Sequence, residues 1–468
     1  MRLLLAIIIC KLLYFAGSKI GKGSSLPGQA ALALCPDALK RVKLPETVIA
    51  VTGSNGKTST TELIAHALKA NGLRAAWNHE GANQTEGVAT MILRSATLGG
   101  KLKRDVLLFE SDERYAHKTF EAVQPTVFVI TNLFRDQLTR NGHHEFIQGC
   151  IQKAIETAAG KGRRDRGLTL VLNADDPYVS ALAEAGKKTL GGLQKEYYFG
   201  ISGTALNNAG PTRNELPGES FSGAAGMYDD GAFCPVCKSR MQYEYRIASH
   251  LGDFRCAACG HCRPQPDVEA AGIDFETGEV RLADRTTTRI AVPGLTGAYN
   301  QIAAITAAAA AGLSVKDSAR TLDGFELTGG RTERFMVGGR GGTLLVSKHE
   351  NSASYDQSLL WAVGQRKKCA IVVMVDSISR KYYTSETSWL WDVDFGILND
   401  SNVLNVVLTG RYVNELAARF AMTDIDPGKI TCIQDNAVLR SHIEQNTGGE
   451  IYALTCFSDK DKLLKSLK

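Results

Sequence analysis

Two groups of residues in this chain have the types and spacing to do chemistry. The first is Val51-Thr52-Gly53-Ser54-Asn55-Gly56-Lys57-Thr58-Ser59-Thr60. It follows an apolar β-branched run (47–51) and precedes a helix-like stretch (61–68). Strand, glycine loop and helix in that order form an anion cradle, because backbone N–H groups and the helix N-terminus point at phosphate oxygens. Gly53 and Gly56 let the backbone approach closely. Lys57 reaches β- and γ-phosphates, and the Thr58 hydroxyl suits Mg²⁺. Gly53 to Gly56 is two residues shorter than the usual P-loop spacing. The second group is Cys234-Pro-Val-Cys237 and Cys256-Ala-Ala-Cys259, with eighteen residues between the pairs. That is zinc-ribbon spacing, and four thiolates close a tetrahedral, structural site. His261 and Cys262 are spare ligands, either of which could replace Cys259.

The elements that must position these residues read as α/β. Segments 106–110, 126–132 and 168–173 are buried-strand patterns separated by helical ones, which implies a largely parallel sheet covered on both faces. Ligand-binding groups in such sheets sit just past the carboxyl ends of strands. Glu110, Asn132 and Asn173 are all in that place. Residues 201–230 read as a loop leading into the cysteine insertion, and 294–312 as a tightly packed helix. A second α/β unit starts near 341, with strands at 343–347, 370–375, 403–408, 430–433 and 451–455 and helices at 412–422 and 437–445. The expected division is a lead-in (1–46), an ATP-binding domain (47–337, insertion about 230–265) and a smaller Rossmann-like domain (338–468).

A chain of 468 residues with a net charge of +5 gives little reason to expect a polyanionic partner, and the ribbon lacks a dense basic and aromatic face. No nucleic acid is expected. Eleven cysteines are present, five of them between Cys234 and Cys262 and the rest scattered, which favours reduced thiols over disulfides. Residues 1–17 are apolar behind Arg2, but Lys11 interrupts them and the run is short for a span. They read as a helix that packs on the core or touches a membrane. An ATP site implies a cytoplasmic setting.

Several motifs, in order, resemble the Mur ligase family of ATP-dependent amide-forming enzymes. The P-loop resembles its Thr-Gly-x-Asn-Gly-Lys-Thr signature. The stretch 131–138 resembles its Thr-Asn-x-x-x-Asp-His-Leu, Asn173-Ala-Asp-Asp-Pro177 its Asn-x-Asp-Asp-Pro, and 330–334 its Gly-Arg-x-Glu segment. The resemblance is closer still to the MurT-type branch, the synthetase subunits of lipid II isoglutaminyl synthases. That branch shares Ser24-Ser-Leu-Pro-Gly28, Glu80-Gly-Ala-Asn83, Asn132–Leu138, a four-cysteine ribbon and Ser388-Trp-Leu-Trp-Asp392. No room remains before the P-loop for the domain that holds the UDP end of other Mur substrates, as suits a lipid-linked substrate.

The resemblance implies ATP-dependent activation of the α-carboxyl of D-glutamate in the lipid II stem peptide, then attack by ammonia from a GatD-type glutamine amidotransferase, giving D-isoglutamine. It implies a mononucleotide site at Gly53, Asn55, Gly56, Lys57, Thr58 and Ser59, with Asn173 and Arg331 on the nucleotide. Lys57 is the catalytic cation; Thr58 and Glu110 are the Mg²⁺ ligands. Glu80, Asn83 and Asn132 fall on the substrate side, at the inner face of the membrane. A carboxylate of the C-terminal domain is expected to complete the partner's glutaminase triad, and Glu386 or Asp392 (or Asp394) is placed for it. Here the chain departs from the branch. Relatives read Lys-Asn-Pro-Ala-Gly-Phe-Asn where this chain has Lys348–Asp356, and the aspartates that lead their Ser-Trp-x-Trp-Asp stretch are changed. An altered acceptor or partner is therefore one alternative. A folylpolyglutamate synthase-like ligase is another, but its loop continues Gly-Lys-Gly-Ser and it has no ribbon. A non-enzymatic nucleotide-fold protein is disfavoured by the intact Lys57 and Thr58.

Overall fold

The computed structural model describes residues 1–18, 24–79, 81–137, 141–160, 167–190, 194–206, 229–290, 294–327, 332–377 and 386–467. The first sheet is built from β1 (Thr47–Thr52), β2 (Ala75–Trp77), β3 (Val106–Glu110), β4 (Val127–Ile130), β5 (Leu168–Asn173) and β6 (Gln194–Ile201). A separate hairpin, β7 (Gln242–Ala248) and β8 (Leu251–Arg255), lies between the two cysteine pairs. The sheet resumes with β9 (Val268–Ile273), β10 (Glu279–Leu282) and β11 (Thr287–Arg289). Its order is β11-β10-β9-β6-β5-β4-β1-β3-β2, parallel from β9 to β2 and antiparallel at β10 and β11.

Strand alternation assigns the two faces. Val48, Ala50, Leu107 and Phe109 pack into one helical layer; Ile49, Val51, Val106 and Leu108 pack into the other. Being buried on both faces, these strands are continuously apolar, which is why they were legible. The second layer is dominated by the helices Lys57–Ala70 and Leu295–Ala310. The first contains Arg2–Ser18, whose Ala6, Ile7 and Cys10 lie in the same core as Val88 and Ile92 of the helix Thr85–Ser95. One side of the apolar first segment is thus a core element.

The second sheet has β12 (Thr332–Val337), β13 (Arg340–Ser347), β14 (Cys369–Met374), β15 (Val403–Thr409), β16 (Ile430–Ile433) and β17 (Glu450–Cys456). Its order is β12-β13-β17-β14-β15-β16, parallel except for β12. β12 pairs antiparallel with β13 through a turn at Gly338 and Gly339, so this sheet begins before the boundary expected at 338. The reason is local: Thr332–Val337 shows only one-sided burial and carries no strong strand signal.

Candidate functional site

The cradle lies past the carboxyl end of β1. Gly53 and Gly56 both have positive φ, +131° and +82°. Close packing demands glycine there as well. A Cβ on Gly53 would stand 2.2 Å from Thr131 Oγ1, and one on Gly56 would stand 2.1 Å from Asn300 Oδ1. The loop is pinned from β4's end: Asn132 Oδ1 accepts from the Asn55 N–H (2.9 Å), and Asn132 Nδ2 and Thr131 Oγ1 both donate to the Asn55 carbonyl (3.1 and 2.7 Å). Asn132, expected on the substrate side, therefore clamps the P-loop. Ser59 lies in the first turn of the helix Lys57–Ala70.

Lys57 is buried, with its Nζ on the carbonyl of Gly53 and 3.1 Å from Glu113 Oε2. Burial pulls this ammonium down, but Glu113, Glu110, Asp136 and Asp112 together raise it above the ordinary lysine range. Burial likewise pushes the Glu113 carboxyl up, while Lys57 and Lys348 hold it below its ordinary value. Thr58 Oγ1 donates to Glu110 Oε2 at 2.7 Å. The other Glu110 oxygen accepts from Asn83 Nδ2 at 2.9 Å, so Asn83 orients the carboxylate paired with Thr58. Asn78 holds the Glu110 backbone on both sides, at 2.9 and 3.2 Å. Glu80 and Arg331 lie outside the described residues.

The second sheet delivers further groups. Lys348, one residue past β13, contacts Asp136 and donates to the Ser54 carbonyl at 3.0 Å. Asn351 donates to Asp136 (3.0 Å) and accepts from Asn55 Nδ2 (3.3 Å). The segment that departs most from the resembled branch thus sits on the P-loop. Glu113, Asp136, Asn300, Lys348 and Asn351 were not singled out from sequence. Glu113 and Lys348 carried the signal of a charge just beyond an apolar strand. Asp136 stood inside a quoted motif, and Asn300 and Asn351 had no local mark.

Asn173 is buried, donating to the Thr131 carbonyl (3.0 Å) and accepting from the Asp175 N–H (3.0 Å). It ties two strand ends together. Asp175 accepts from Arg263, the Ile201 amide and Tyr299, each at 2.7 Å. Burial pushes Asp175 up to about 6 against the pull of Arg263. Asp176 caps the short helix Pro177–Ser180 and accepts from the Leu133 amide at 2.8 Å.

The four cysteines Cys234, Cys237, Cys256 and Cys259 converge, all sulfurs within 4.8 Å. Each pair forms a knuckle. The Lys238 N–H donates to the Cys234 carbonyl and that of Gly260 to the Cys256 carbonyl, both followers having positive φ. His261 is turned away, with Nε2 3.0 Å from the Pro177 carbonyl. Cys262 lies outside the cluster, bridged through its backbone to Arg255.

The carboxylates considered for the partner separate by exposure. Asp392 faces Arg135 (3.6 Å), whose guanidinium also holds Asp230 at 2.9 Å. Burial raises Asp392 above its ordinary range. Asp394 is buried. Glu386 is exposed and accepts from the Ser388 N–H at 2.7 Å, which lowers its carboxyl.

The comparisons agree with this geometry. Residues 51–221 match the Mur ligase middle domain, and residues 349–459 match the MurT ligase C-terminal domain. The chain is 28% identical to the lipid II isoglutaminyl synthase (glutamine-hydrolyzing) subunit MurT of Staphylococcus aureus (strain N315), over 91% of this chain and 89% of that one. It is 27% identical to the same subunit of Streptococcus pneumoniae (strain ATCC BAA-255 / R6), over 95% and 92%. In fold it is similar to a pseudomurein peptide ligase type C from Methanothermus fervidus (TM-score 0.67, 19% identity, 92% of this chain and 81% of that one). It is also similar to MurF ligase from Thermotoga maritima in complex with ADP (TM-score 0.57, 15% identity, 94% and 83%). The chain thus carries a Mur ligase middle domain and a MurT ligase C-terminal domain, and is similar to MurT subunits along nine-tenths of its length.

Proposed function

We propose that this chain is the ATP-dependent synthetase that amidates the α-carboxyl of D-glutamate in the lipid II stem peptide to D-isoglutamine, through an acyl phosphate, with ammonia from a GatD-type glutaminase. The observation that carries this reading is similarity to MurT subunits along nine-tenths of the chain, across both the P-loop unit and the second domain.

The reaction brings two anions together, the carboxylate and the γ-phosphate. Lys57 neutralises the phosphate from within the cradle, and Lys348 supplies a second cation across the domain junction. Mg²⁺ fits the donor set, since Thr58 Oγ1 and Glu110 Oε2 are hard oxygens 2.7 Å apart at the mouth of the cradle. Bound there, the ion supplies Lewis-acid neutralisation of the phosphates. Asn83 and Asn132 act as positioning residues, the first on Glu110 and the second on the loop. Asn173 acts through the strand ends it ties, and Glu80 and Arg331 keep their substrate-side and nucleotide-side roles in the proposal. Glu386 is the carboxylate offered to the glutaminase, because Asp392 is engaged with Arg135 and Asp394 is enclosed. Cys234, Cys237, Cys256 and Cys259 hold a structural zinc, a role their four-thiol geometry suits. The setting is cytoplasmic, next to the membrane that holds the substrate.

Mass spectrometry of lipid II after incubation with the chain, ATP, Mg²⁺ and an ammonium salt tests the reading. A mass decrease of about 1 Da, carboxyl to amide, is expected with ammonium alone and is absent for Lys57→Ala. With glutamine as donor, turnover requires an added glutaminase. No amidation from any donor overturns it.

A further inference from the structure

We infer that the outward face of the helix Arg2–Ser18, with the basic rung beside it, is a docking surface for an anionic lipid bilayer. The inference deepens the proposed activity by giving an enzyme of a lipid-linked substrate a membrane-facing side.

A surface helix of a soluble protein is apolar toward the core and polar outward. This helix is apolar on both its inner and its outward face, and its one mid-helix charge, the half-buried Lys11, donates to the Arg94 carbonyl at 2.7 Å. Ala6, Ile7 and Cys10 are fully buried, yet the opposite face presents Leu4, Leu5, Leu12 and Phe15, with Leu12 63% exposed. Leu26, Leu34 and Leu98 extend the exposed apolar surface on neighbouring elements. An exposed apolar helix face of this kind marks an interaction site. No helix among the described residues is long and apolar enough to cross a membrane. At 17 residues this one is about 25 Å long and packs along its length on the core, so a bilayer would meet it side-on.

Charge selects the bilayer over another apolar partner. The first turn rests against a basic rung: a Cβ on Gly100 would stand 2.8 Å from Leu3, and Lys43 and Lys101 are bridged beside that glycine. Arg2, Lys40, Lys43, Lys101 and Lys103 are exposed, and none forms an ion pair among the described residues. Of the acids close to this rung in sequence, Asp37 is taken up by Arg41 and Asp105 by Arg74, which leaves the exposed Glu46 against five exposed cations. Apolar side chains for the acyl boundary and lysines for headgroup phosphates are the two signals that stable peripheral binding needs. The same layer carries the helix Thr85–Ser95, which starts two residues after Asn83. The docking layer is therefore one element away from the Glu110 carboxylate.

Sedimentation of the full chain with vesicles tests this directly. Phosphatidylcholine vesicles containing a third phosphatidylglycerol should carry the chain down, and pure phosphatidylcholine should hold about ten-fold less. Leu5→Glu/Leu12→Glu should abolish sedimentation, and Lys101→Glu/Lys103→Glu should weaken it several-fold. Neither pair touches the cradle, so ammonium-driven amidation of detergent-solubilised lipid II should persist in both. If it persists in a chain that never binds vesicles, docking fails while the proposed activity stands. Equal binding to neutral vesicles, or binding unaffected by Leu5→Glu/Leu12→Glu, also overturns the inference. So does a dimer in light scattering that the leucine variant dissolves, since a second copy would then cover the face.

Discussion

The P-loop region and the second domain's two site segments are built on opposite plans. Around the P-loop, short-range partners are stacked on adjacent strand ends of one sheet. Lys57, Glu110, Glu113 and Asn132 are buried and Thr58 is exposed at the mouth; Lys57 pairs with Glu113, Thr58 with Glu110 and Asn132 with the Asn55 backbone. Lys348 and Asn351 instead reach more than 200 positions along the chain to Ser54, Asn55 and Asp136. Two lysines from two sheets thus end on one carbonyl neighbourhood, Lys57 on Gly53 and Lys348 on Ser54. The first arrangement is fixed by the fold of a single sheet. The second exists only while the two sheets are apposed, so it can respond to what binds between them.

Breaking the local plan should have the largest effect. Lys57→Met should reduce amidation by about 10³-fold, since it removes the buried cation aimed at the developing phosphate charge. It should also lower stability by about 3–5 kcal/mol, because Glu113 is left buried without its lysine. Lys57→Met/Glu113→Gln should regain most of that stability and none of the rate. Chemical denaturation beside single-turnover assays separates the two, and a double variant with restored turnover would remove Lys57 from the chemistry.

The cross-domain plan should break more gently. Lys348→Ala should lose about 10²-fold in turnover. Its stability cost should be smaller, about 1–2 kcal/mol, because the buried Asp136 keeps its hydrogen bond from Asn351 and Lys348 itself keeps some contact with solvent. A variant whose melting temperature falls as far as that of Lys57→Met would show that Lys348 is built into the fold in the same way, and the contrast would disappear.

Acid titration sharpens the comparison without touching the rate. The folded Glu113 carboxyl lies below its ordinary 4.5, so its pair with Lys57 adds stability that is present above that value. That contribution is lost as pH falls through the lower folded value. The folded Lys57 lies above its ordinary 10.5, so the lysine side persists until pH rises past that. Glu113→Gln should therefore melt several degrees below the parent at neutral pH, with the gap closing in acid. A gap that widens in acid would reverse the assigned sign.

What could be read from the chain follows the same division. The strand Leu168–Asn173 and the four cysteines were legible because continuous burial and metal spacing leave local marks. The β12 strand was missed because an edge strand buried on one side resembles a linker. Asn132 was read as a ligand group by its place at a strand end; its two bonds to Asn55 depend on how far β1 and β4 extend, which no pattern records. Asn351 was beyond reach for a plainer reason. Its partners lie in the other domain, and a single sequence carries no statement of which loops face one another.

The smallest effect on the synthetase should come from Glu386, and that is what makes it informative. Its carboxylate is exposed and accepts from the Ser388 N–H in its own turn. With ammonium as donor, Glu386→Gln should amidate at the parental rate, because nothing in the cradle changes. With glutamine and an added glutaminase, turnover should fall sharply, since the amide cannot hold a histidine cation as a carboxylate does. Asp392→Asn should behave differently. Asp392 meets Arg135, which already holds Asp230, so losing it should loosen the second domain against the insertion and lower the rate with either donor. If Asp392→Asn alone showed the glutamine-specific loss, the partner would draw on the carboxylate that meets Arg135. The Arg135 contact would then have to open when the glutaminase docks, and the second domain's rim would be as tightly coupled as the P-loop itself.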